Sequence, residues 1–423
     1  MSAKRNRMNV LSDSKKRFVG FGFGPIQNGL FVYEAYRSGN FHPGGFTIAE
    51  VDPALVKAVR DNGGRYTINI AHADRIEPIT VEGVTLLNPT APSDREALAR
   101  AIAEADVLCT ALPSVDFFAR GGDASVLELL AKGIQQRDTL IPAIIYTAEN
   151  NNHAAEILGA ELHKKISPRR TAAIQILNTV IGKMSGVITD GAEIARLKLT
   201  TLTPATPRAV LVEAFNRILI TRITLPGVTS GIPTFVEKDD LLPFEEAKLY
   251  GHNAIHALLG YLAHRRGLQT MDQLAQHPDL LAIGREAFIS ECGQALCRKY
   301  ATLGDPLFSR QGFRAYAEDL LVRMVNPNLN DLVARVIRDP RRKLGYHDRL
   351  YGTMHLALTR EITPTNMARG AAAAVRFLSE SEKLPITSEA ELGRLLESVW
   401  GDQRDALAAK LVELTWSALN ARD

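Results

Sequence analysis

The spacing of apolar and polar positions changes along the chain and predicts two architectures. In the first half, short apolar runs alternate with stretches of helical period. Such alternation is typical of βαβ units, in which a parallel sheet carries helices on both faces. The predicted strands are RFVGFG, FTIAEVD, YTINIA, VTLLNP, DVLCTALP and LIPAIIYTAEN. The predicted helices are residues 30–37, ALVKAVRDNGG, SDREALARAIAEA and SVLELLAKGIQQR.

The pattern changes in the second half. Residues 209–223 predict one or two further strands that extend the same sheet. Beyond Pro243, long amphipathic helices dominate, as in EAKLYGHNAIHALLGYLAHRRG and EAFISECGQALCRKYA. We therefore predict an α/β plus all-α protein, with a Rossmann-type doubly wound sheet over residues 17–237 and a mainly helical domain over residues 238–423.

Composition narrows the functional classes. The net charge of +3 over 423 residues provides no global field for nucleic acid. The three cysteines are odd in number and sparse, which argues against a disulfide framework and favours the cytoplasm. They form no CxxC pair, which argues against a zinc site. No apolar run reaches the roughly 18 residues of a membrane span. The basic stretch 1–16 lacks an apolar core, so we expect a disordered lead-in rather than a signal peptide.

A glycine-rich turn follows the first predicted strand. Gly22 and Gly24 fill the first two positions of a GxGxxG pattern, while Gln27 stands in the third. The first glycine allows a tight turn, and the second allows backbone to approach a pyrophosphate. The following helix would present its N-terminal amides to the anion. The alternative is a tight strand–helix turn with no ligand.

The second predicted strand ends in two acidic residues, Glu50 and Asp52. A carboxylate at this place accepts hydrogen bonds from the ribose hydroxyls and repels a 2′-phosphate, which favours NAD over NADP. We expect Glu50 to have this role. The predicted cofactor-binding residues are Gly22, Gly24, Ile26, Gln27, Glu50 and Asp52.

One predicted helix of the second half carries a group of polar residues. At about 100° per residue, Lys248, His252 and His256 fall on one side, and Asn253 lies about 60° from His256. A buried lysine of lowered pKa can remove the hydroxyl proton of an alcohol, and an amide can donate to the alkoxide. A histidine can orient the substrate. The alternative is a set of solvated or structural polar residues.

The pattern Lys-x4-Asn-x2-His, formed by Lys248, Asn253 and His256, resembles the polyol-specific long-chain dehydrogenases. The resemblance implies a Rossmann domain joined to a helical domain, an active site in the cleft between them, a nicotinamide cofactor, a lysine base and no metal. It also implies that Asn150, within TAENNNH, is a second oxyanion donor. The segments NPNLND, RDPRRKL and DRLYG are similar to a branch acting on mannitol 1-phosphate.

Two departures bear on the substrate. Gln27 replaces a glycine, and LNTVIGKMSGV lacks the Asp-Arg pair of the branch. Arg341, Arg342 and Lys343, with Arg338, and also His252, are candidate substrate-binding residues, since arginine binds phosphate in a bidentate way. The alternative for the basic cluster is a solvated helix end.

Three functions therefore remain open. The first is oxidation of a polyol or polyol phosphate, the second is oxidation of a sugar acid or unphosphorylated polyol, and the third is NAD binding without catalysis. Family members are often monomers or dimers, so we expect a monomer or homodimer that binds a small polyol or sugar, with no nucleic-acid or membrane partner.

Overall fold

The computed structural model describes residues 15–138 and 141–421. Residues 1–14, most of the predicted lead-in, lie outside the described residues, and the first strand begins at Lys16. The chain divides into two compact units between Leu241 and Leu242, whereas the predicted boundary was near Lys238. Within the described ranges, no helix is long and apolar enough to cross a membrane.

The first unit contains two β-sheets. Its strands are β1 (Lys16–Phe21), β2 (Phe41–Ala49), β3 (Tyr66–Ala71), β4 (Ile76–Val81), β5 (Val84–Leu87), β6 (Val107–Thr110), β7 (Ala143–Thr147), β8 (Ile174–Val180), β9 (Ser185–Ile188), β10 (Ala209–Glu213), β11 (Ile218–Thr221) and β12 (Phe235–Lys238). The larger sheet has the order β12-β11-β8-β7-β6-β1-β2-β5. Its neighbouring strands are parallel except for β8 and β11, which pair antiparallel.

Helices cover both faces of the larger sheet. The α-helices of the first unit are α1 (Tyr33–Ser38), α2 (Pro53–Asp61), α3 (Pro92–Glu104), α4 (Val126–Gln136), α5 (Ala154–His163), α6 (Pro168–Thr171) and α7 (Gly191–Arg196). A π-helical segment, Gln27–Val32, precedes α1. Phe18 and its neighbour Val19 belong to two different apolar cores, because successive strand residues point to opposite faces. The predicted doubly wound α/β fold is confirmed.

The smaller sheet corrects one prediction. Its order is β4-β3-β10-β9, and only β3 and β10 pair parallel. Residues 209–223 therefore do not extend one sheet, since β10 lies in the smaller sheet and β11 in the larger. Two contacts explain the place of β10. The Asn69 side chain donates to Val210 O at 3.0 Å, and a Cβ on Gly29 would lie 2.5 Å from Val212 Cγ1.

The second unit is helical, as predicted. Its α-helices are α8 (Leu242–Glu246), α9 (Ala254–Arg265), α10 (Pro278–Glu286), α11 (Gln294–Lys299), α12 (Arg310–Met324), α13 (Val333–Ile337), α14 (Pro340–Lys343), α15 (Tyr351–Leu358), α16 (Thr365–Glu382), α17 (Glu389–Trp400) and α18 (Ala408–Asn420). The π-helical segments Ala247–Asn253 and Ala287–Gly293 precede α9 and α11. Glycines allow close packing on the buried α9: Gly370 of α16 meets Leu258, and Gly260 meets Val336 of α13.

Candidate functional site

The glycine turn after β1 has two positions with different constraints. Gly22 has a φ of 82°, and a Cβ there would lie 2.8 Å from the carbonyl oxygen of Ala111. A side chain is therefore excluded by both conformation and space. Around Gly24, by contrast, a Cβ would meet no protein atom within 4 Å. The backbone at Gly24 is thus open to close approach by a ligand.

The turn forms one wall of a cleft of about 510 Å³ in the first unit. Four of the predicted cofactor-binding residues line it, namely Gly22, Gly24, Ile26 and Glu50. The cleft lies at the carboxyl ends of β1, β2 and β6, where doubly wound folds bind ligands. Its size and its position at this edge suit part of a dinucleotide.

Phe117 and Arg120 are among the lining residues that sequence reasoning missed. The Arg120 guanidinium carbon lies 4.3 Å from the centre of the Phe117 ring, so the cation stacks on the aromatic face. Both residues follow β6, the predicted strand DVLCTALP. The topology could have indicated them, because loops that follow neighbouring parallel strands meet at one edge of the sheet, and β6 is a neighbour of β1.

Glu50 links the glycine turn to the segment that follows β2. One carboxylate oxygen accepts a hydrogen bond from the Phe23 amide at 2.9 Å, and the other accepts one from the Asp52 amide at 2.9 Å. Each oxygen retains a second lone pair. Glu50 therefore fixes the glycine turn against β2 and still offers acceptors to the cleft.

Two other predicted cofactor residues lie elsewhere. Gln27 is fully buried, and a Cβ on Gly20 would collide with its amide, so Gln27 packs between the turn and β1. Neither amide atom of Gln27 has a hydrogen-bond partner among the described residues. Asp52 caps the N-terminus of α2 and pairs with Arg208 at 2.8 Å. Neither residue is among those that line the cleft.

The pair Glu149–Asn150 follows β7. Glu149 is buried and accepts hydrogen bonds from Thr110 Oγ1 and from the Leu112 amide, both at 2.9 Å. Burial raises its pKa, against the lowering effect of these hydrogen bonds. Asn150 is exposed. Glu149 thus holds the loop after β6, which lines the cleft, and Asn150 lies on the surface of the same unit.

In the second unit, Lys248 and Asn253 lie in the π-helical segment Ala247–Asn253. The prediction of an α-helix with about 100° per residue is wrong here, because π-helices form i→i+5 hydrogen bonds. Residues five apart therefore lie about one turn apart. The π-helical segment consequently brings Lys248 and Asn253 onto the same side, which an uninterrupted α-helix would not.

The surroundings of Lys248 alter its acidity. Burial, followed by the positive charge of Arg349, lowers the pKa of Lys248 to about 8, while Glu245 opposes this effect. An appreciable minority of the amine is then neutral near physiological pH, far more than for an ordinary lysine, so Lys248 can accept a proton. The Asn253 side chain is half-buried and has no hydrogen-bond partner among the described residues, which leaves its amide available to a ligand.

The two predicted histidines have different environments. His256 Nε2 lies 2.7 Å from Asp331 Oδ2, and the ring centres of His252 and His256 are 6.1 Å apart. His252 is buried, and burial together with nearby positive groups lowers its pKa well below the usual value, so its ring is neutral. Asp331 lies in NPNLND, but sequence reasoning did not single it out.

The basic residues predicted for substrate binding have different environments in the structure. Arg341 forms a two-pronged ion pair with Glu382 of α16, and Arg342 lies 4.0 Å from Asp348. Lys343 is only 3% exposed. Burial and the positive charges of Arg349 and Arg342 lower its pKa to about 8. Lys343 and Lys248 both have Arg349 as an electrostatic neighbour.

Known proteins resemble the chain over most of its length. Residues 240–403 match the family model of the mannitol dehydrogenase C-terminal domain. Mannitol-1-phosphate 5-dehydrogenase of Bacillus licheniformis is 28% identical over 404 residues, which cover 93% of this chain and 97% of that protein. The protein of the same name from Bacillus subtilis is 27% identical and covers 84% of this chain and 86% of its own.

Two solved structures share the fold. Pseudomonas fluorescens mannitol 2-dehydrogenase, in a ternary complex with NAD and D-mannitol, aligns with a TM-score of 0.69 and 15% identity. The alignment covers 97% of this chain and 92% of that chain. A substrate-free D-sorbitol dehydrogenase aligns with a TM-score of 0.75 and 14% identity, covering 95% and 92% of the two chains.

Proposed function

We propose that the chain is a member of the mannitol dehydrogenase family and an NAD-dependent dehydrogenase that oxidises a secondary alcohol of a polyol or polyol phosphate. The observation that carries the proposal is the pair Lys248 and Asn253. A lysine with a pKa of about 8 is placed one π-helical turn from an available amide. This pair supplies a proton acceptor and an oxyanion donor.

The cleft of the first unit supports a dinucleotide cofactor. The open backbone at Gly24 suits close approach of a pyrophosphate, and the Glu50 carboxylate lines the same cleft. Glu50 accepts hydrogen bonds from ribose hydroxyls and disfavours a 2′-phosphate by charge repulsion, so the cofactor is NAD rather than NADP. When bound, NAD accepts the hydride.

Three residues of the second unit act on the alcohol. Lys248 takes the hydroxyl proton, and Asn253 donates a hydrogen bond to the oxygen as negative charge develops. His256 orients the substrate. In the reverse direction the Lys248 ammonium returns the proton. An ammonium and an amide thus provide the electrophilic assistance that a metal would supply, so the proposed mechanism is metal-independent. The role of Asn150 as a second donor stays a prediction.

The positive charges of Arg349, next to Lys248, and of Lys343, next to Arg349, favour a substrate with an anionic group. Lys343 is nearly buried, and Arg349 lies close enough to both lysines to lower their pKa values. We infer a polyol phosphate of the mannitol 1-phosphate type, with fructose 6-phosphate as its oxidation product. Arg341 contributes less to binding of the anionic group, because its charge is paired with Glu382. A sugar acid would also suit these cations, because carboxylate and phosphate are both recognised by lysine and arginine.

A spectrophotometric screen for NADH formation tests the function. The substrates are mannitol 1-phosphate, mannitol, and hexuronate or aldonate sugar acids, each with NAD and with NADP. We expect the highest kcat/KM with the phosphate and NAD. A preference for NADP would refute the role of Glu50, and a preference for a sugar acid would refute the phosphate assignment.

Lys248→Ala separates catalysis from cofactor binding. Turnover should fall by roughly 100- to 10,000-fold, the usual contribution of a general base. NADH binding, followed by fluorescence, should remain. Normal turnover in this variant would exclude Lys248 as the base. NADH binding by the wild-type protein with no turnover on any substrate would instead indicate an NAD-binding protein without catalysis.

Location and assembly are also inferred. All three cysteines, Cys109, Cys292 and Cys297, are among the described residues and are free, which suits the reducing cytoplasm. We infer a monomer or homodimer.

A further inference from the structure

We propose that Asp331 is a positioning residue that keeps the ring proton of His256 on Nε2 and thereby presents Nδ1 as a hydrogen-bond acceptor to a substrate hydroxyl. The proposal deepens the role of His256 and rests on the proposed function for its catalytic consequence. It adds a residue that lies outside the Lys-x4-Asn-x2-His pattern.

The two carboxylate oxygens of Asp331 contact different residues, His256 and Arg335. Oδ2 lies 2.7 Å from His256 Nε2. Oδ1 accepts hydrogen bonds from Arg335 Nε at 3.1 Å and from Arg335 Nη2 at 2.7 Å. The Asp331 side chain is only 3% exposed. Because both oxygens are engaged and the group is enclosed, the carboxylate has little freedom to rotate.

The charge of Asp331 decides the direction of the hydrogen bond. Burial raises its pKa, but the neighbouring His256 and Arg335 outweigh burial and lower the pKa to about 2. An ionised carboxylate is only an acceptor, so Nε2 must be the donor. In the neutral ring, Nδ1 is then unprotonated, and it has no hydrogen-bond partner among the described residues.

The charged and titratable groups near the pair come from several elements. His252 and Lys248 belong to the π-helical segment before α9, Arg323 comes from α12, and Arg335 comes from α13. Asp331 is the anion that balances them next to His256. Loss of its charge would therefore change both the tautomer of His256 and the electrostatic surroundings of the neighbouring His252.

A second His–Asp pair in the same unit provides a matched control. His355 Nε2 lies 2.7 Å from Asp405 Oδ2, at the same distance as in the first pair. The Asp405 side chain is 50% exposed, and neither residue belongs to the proposed site. Asp405→Asn therefore removes the same type of interaction without altering His256.

The experiment compares Asp331→Asn with Asp405→Asn in the full-length protein. An asparagine can turn its amide group toward Nε2, which forces the proton of His256 onto Nδ1. We expect Asp331→Asn to lower kcat/KM for the polyol by roughly 10- to 100-fold, the effect of losing a hydrogen bond to a charged group. The pH dependence of kcat/KM should change as well, while NADH affinity should not. Asp405→Asn should retain wild-type kinetics and pH dependence.

Imidazole ¹⁵N NMR reads the tautomer directly, with the His256 signals assigned by their absence in His256→Gln. The wild-type protein should show a protonated Nε2 and a bare Nδ1, and Asp331→Asn should shift the proton toward Nδ1. A protonated Nδ1 in the neutral wild-type ring would overturn the proposal. Unchanged kcat/KM and pH dependence in a folded Asp331→Asn variant would overturn it too.

The NMR result also separates this proposal from the proposed function. If no polyol is oxidised by the wild-type protein, the proposed function fails, yet the tautomer of His256 is still measured. If Asp331→Asn does not fold, the wild-type spectrum decides alone. An unprotonated Nδ1 supports the role of Asp331, and a protonated Nδ1 in the neutral ring refutes it.

Discussion

A lysine ammonium in water loses its proton at a pH of about 10.4, too high for efficient proton abstraction near neutrality. In this protein, burial and Arg349 lower the pKa of Lys248 to about 8. The residue type was evident from the sequence, but its acidity was not. Arg349 lies far along the chain from Lys248, and only the fold brings their charges together.

Arg349→Met should therefore shift the pH dependence of alcohol oxidation. Removal of the positive charge stabilises the Lys248 ammonium, so the pKa of Lys248 rises. Since oxidation by the proposed mechanism needs the neutral amine of Lys248, kcat/KM should rise with pH and level off above about pH 8 in the wild-type protein. In the variant, this rise of kcat/KM should occur at a pH roughly one unit higher. The measurement is the pH profile of NADH formation.

The matched control is Arg266→Met. Arg266 forms an exposed ion pair with Asp279 at 2.6 Å and does not contribute to the lowered pKa of Lys248. Its profile should equal that of the wild-type protein. An identical profile for Arg349→Met would contradict the assigned effect of Arg349 on Lys248.

Each unit has one short element that positions its candidate residues: the glycine turn after β1 in the first unit, and the π-helical segment before α9 in the second. The sequence predicted the turn correctly, because its constraint is local: Gly22 needs a positive φ. It predicted the helix only in part. In an α-helix, a spacing of five residues would place Lys248 and Asn253 on different sides. In the π-helical segment, the same spacing places them on one side.

The turn allows cofactor binding to be separated from stability. Gly24→Ala adds a methyl group into open space, so the free energy of unfolding should change by less than about 0.5 kcal/mol. NADH affinity should nevertheless fall by roughly tenfold, equivalent to about 1.4 kcal/mol, because the methyl group occupies the ligand side of the turn. Thermal unfolding and fluorescence titration measure the two effects.

Gly22→Ala is the companion variant. Its positive φ and the nearby Ala111 carbonyl oxygen make the substitution strained, so we expect a loss of stability of about 1–3 kcal/mol as well as weaker NADH binding. Equal NADH affinity in Gly24→Ala and the wild-type protein would place the dinucleotide away from this turn.

At the scale of the whole molecule, the proposed chemistry depends on protein side chains of the second unit rather than on a metal. The Lys248 ammonium and the Asn253 amide supply the electrophile in the reduction direction. Excess EDTA followed by dialysis should therefore leave kcat within about twofold of the untreated enzyme, a change of at most about 0.4 kcal/mol. Loss of activity that is restored by a divalent cation would contradict this mechanism.

The sequence by itself determined the features that depend on neighbours along the chain. The alternation of strands and helices predicted the α/β unit, and amphipathic periods predicted the helical unit. The glycine turn with Glu50, and the pattern of Lys248, Asn253 and His256, indicated the chemistry. Each of these signals is local, because a strand period, a tight turn or the spacing of a few residues is encoded within a short segment.

Only the tertiary structure decided the pairings between distant segments. It placed β10 in a second sheet, paired Arg341 with Glu382, and brought Asp331 to His256. It also introduced the π-helical turn that brings Lys248 and Asn253 together. The sheet pairing and the two ion pairs result from packing and charge compensation between residues far apart in sequence, for which local spacing contains no signal. The sequence thus supplied the candidate residues of the glycine turn and of the π-helical segment, but it missed Phe117, Arg120 and Asp331, and it contained no signal for protonation or orientation.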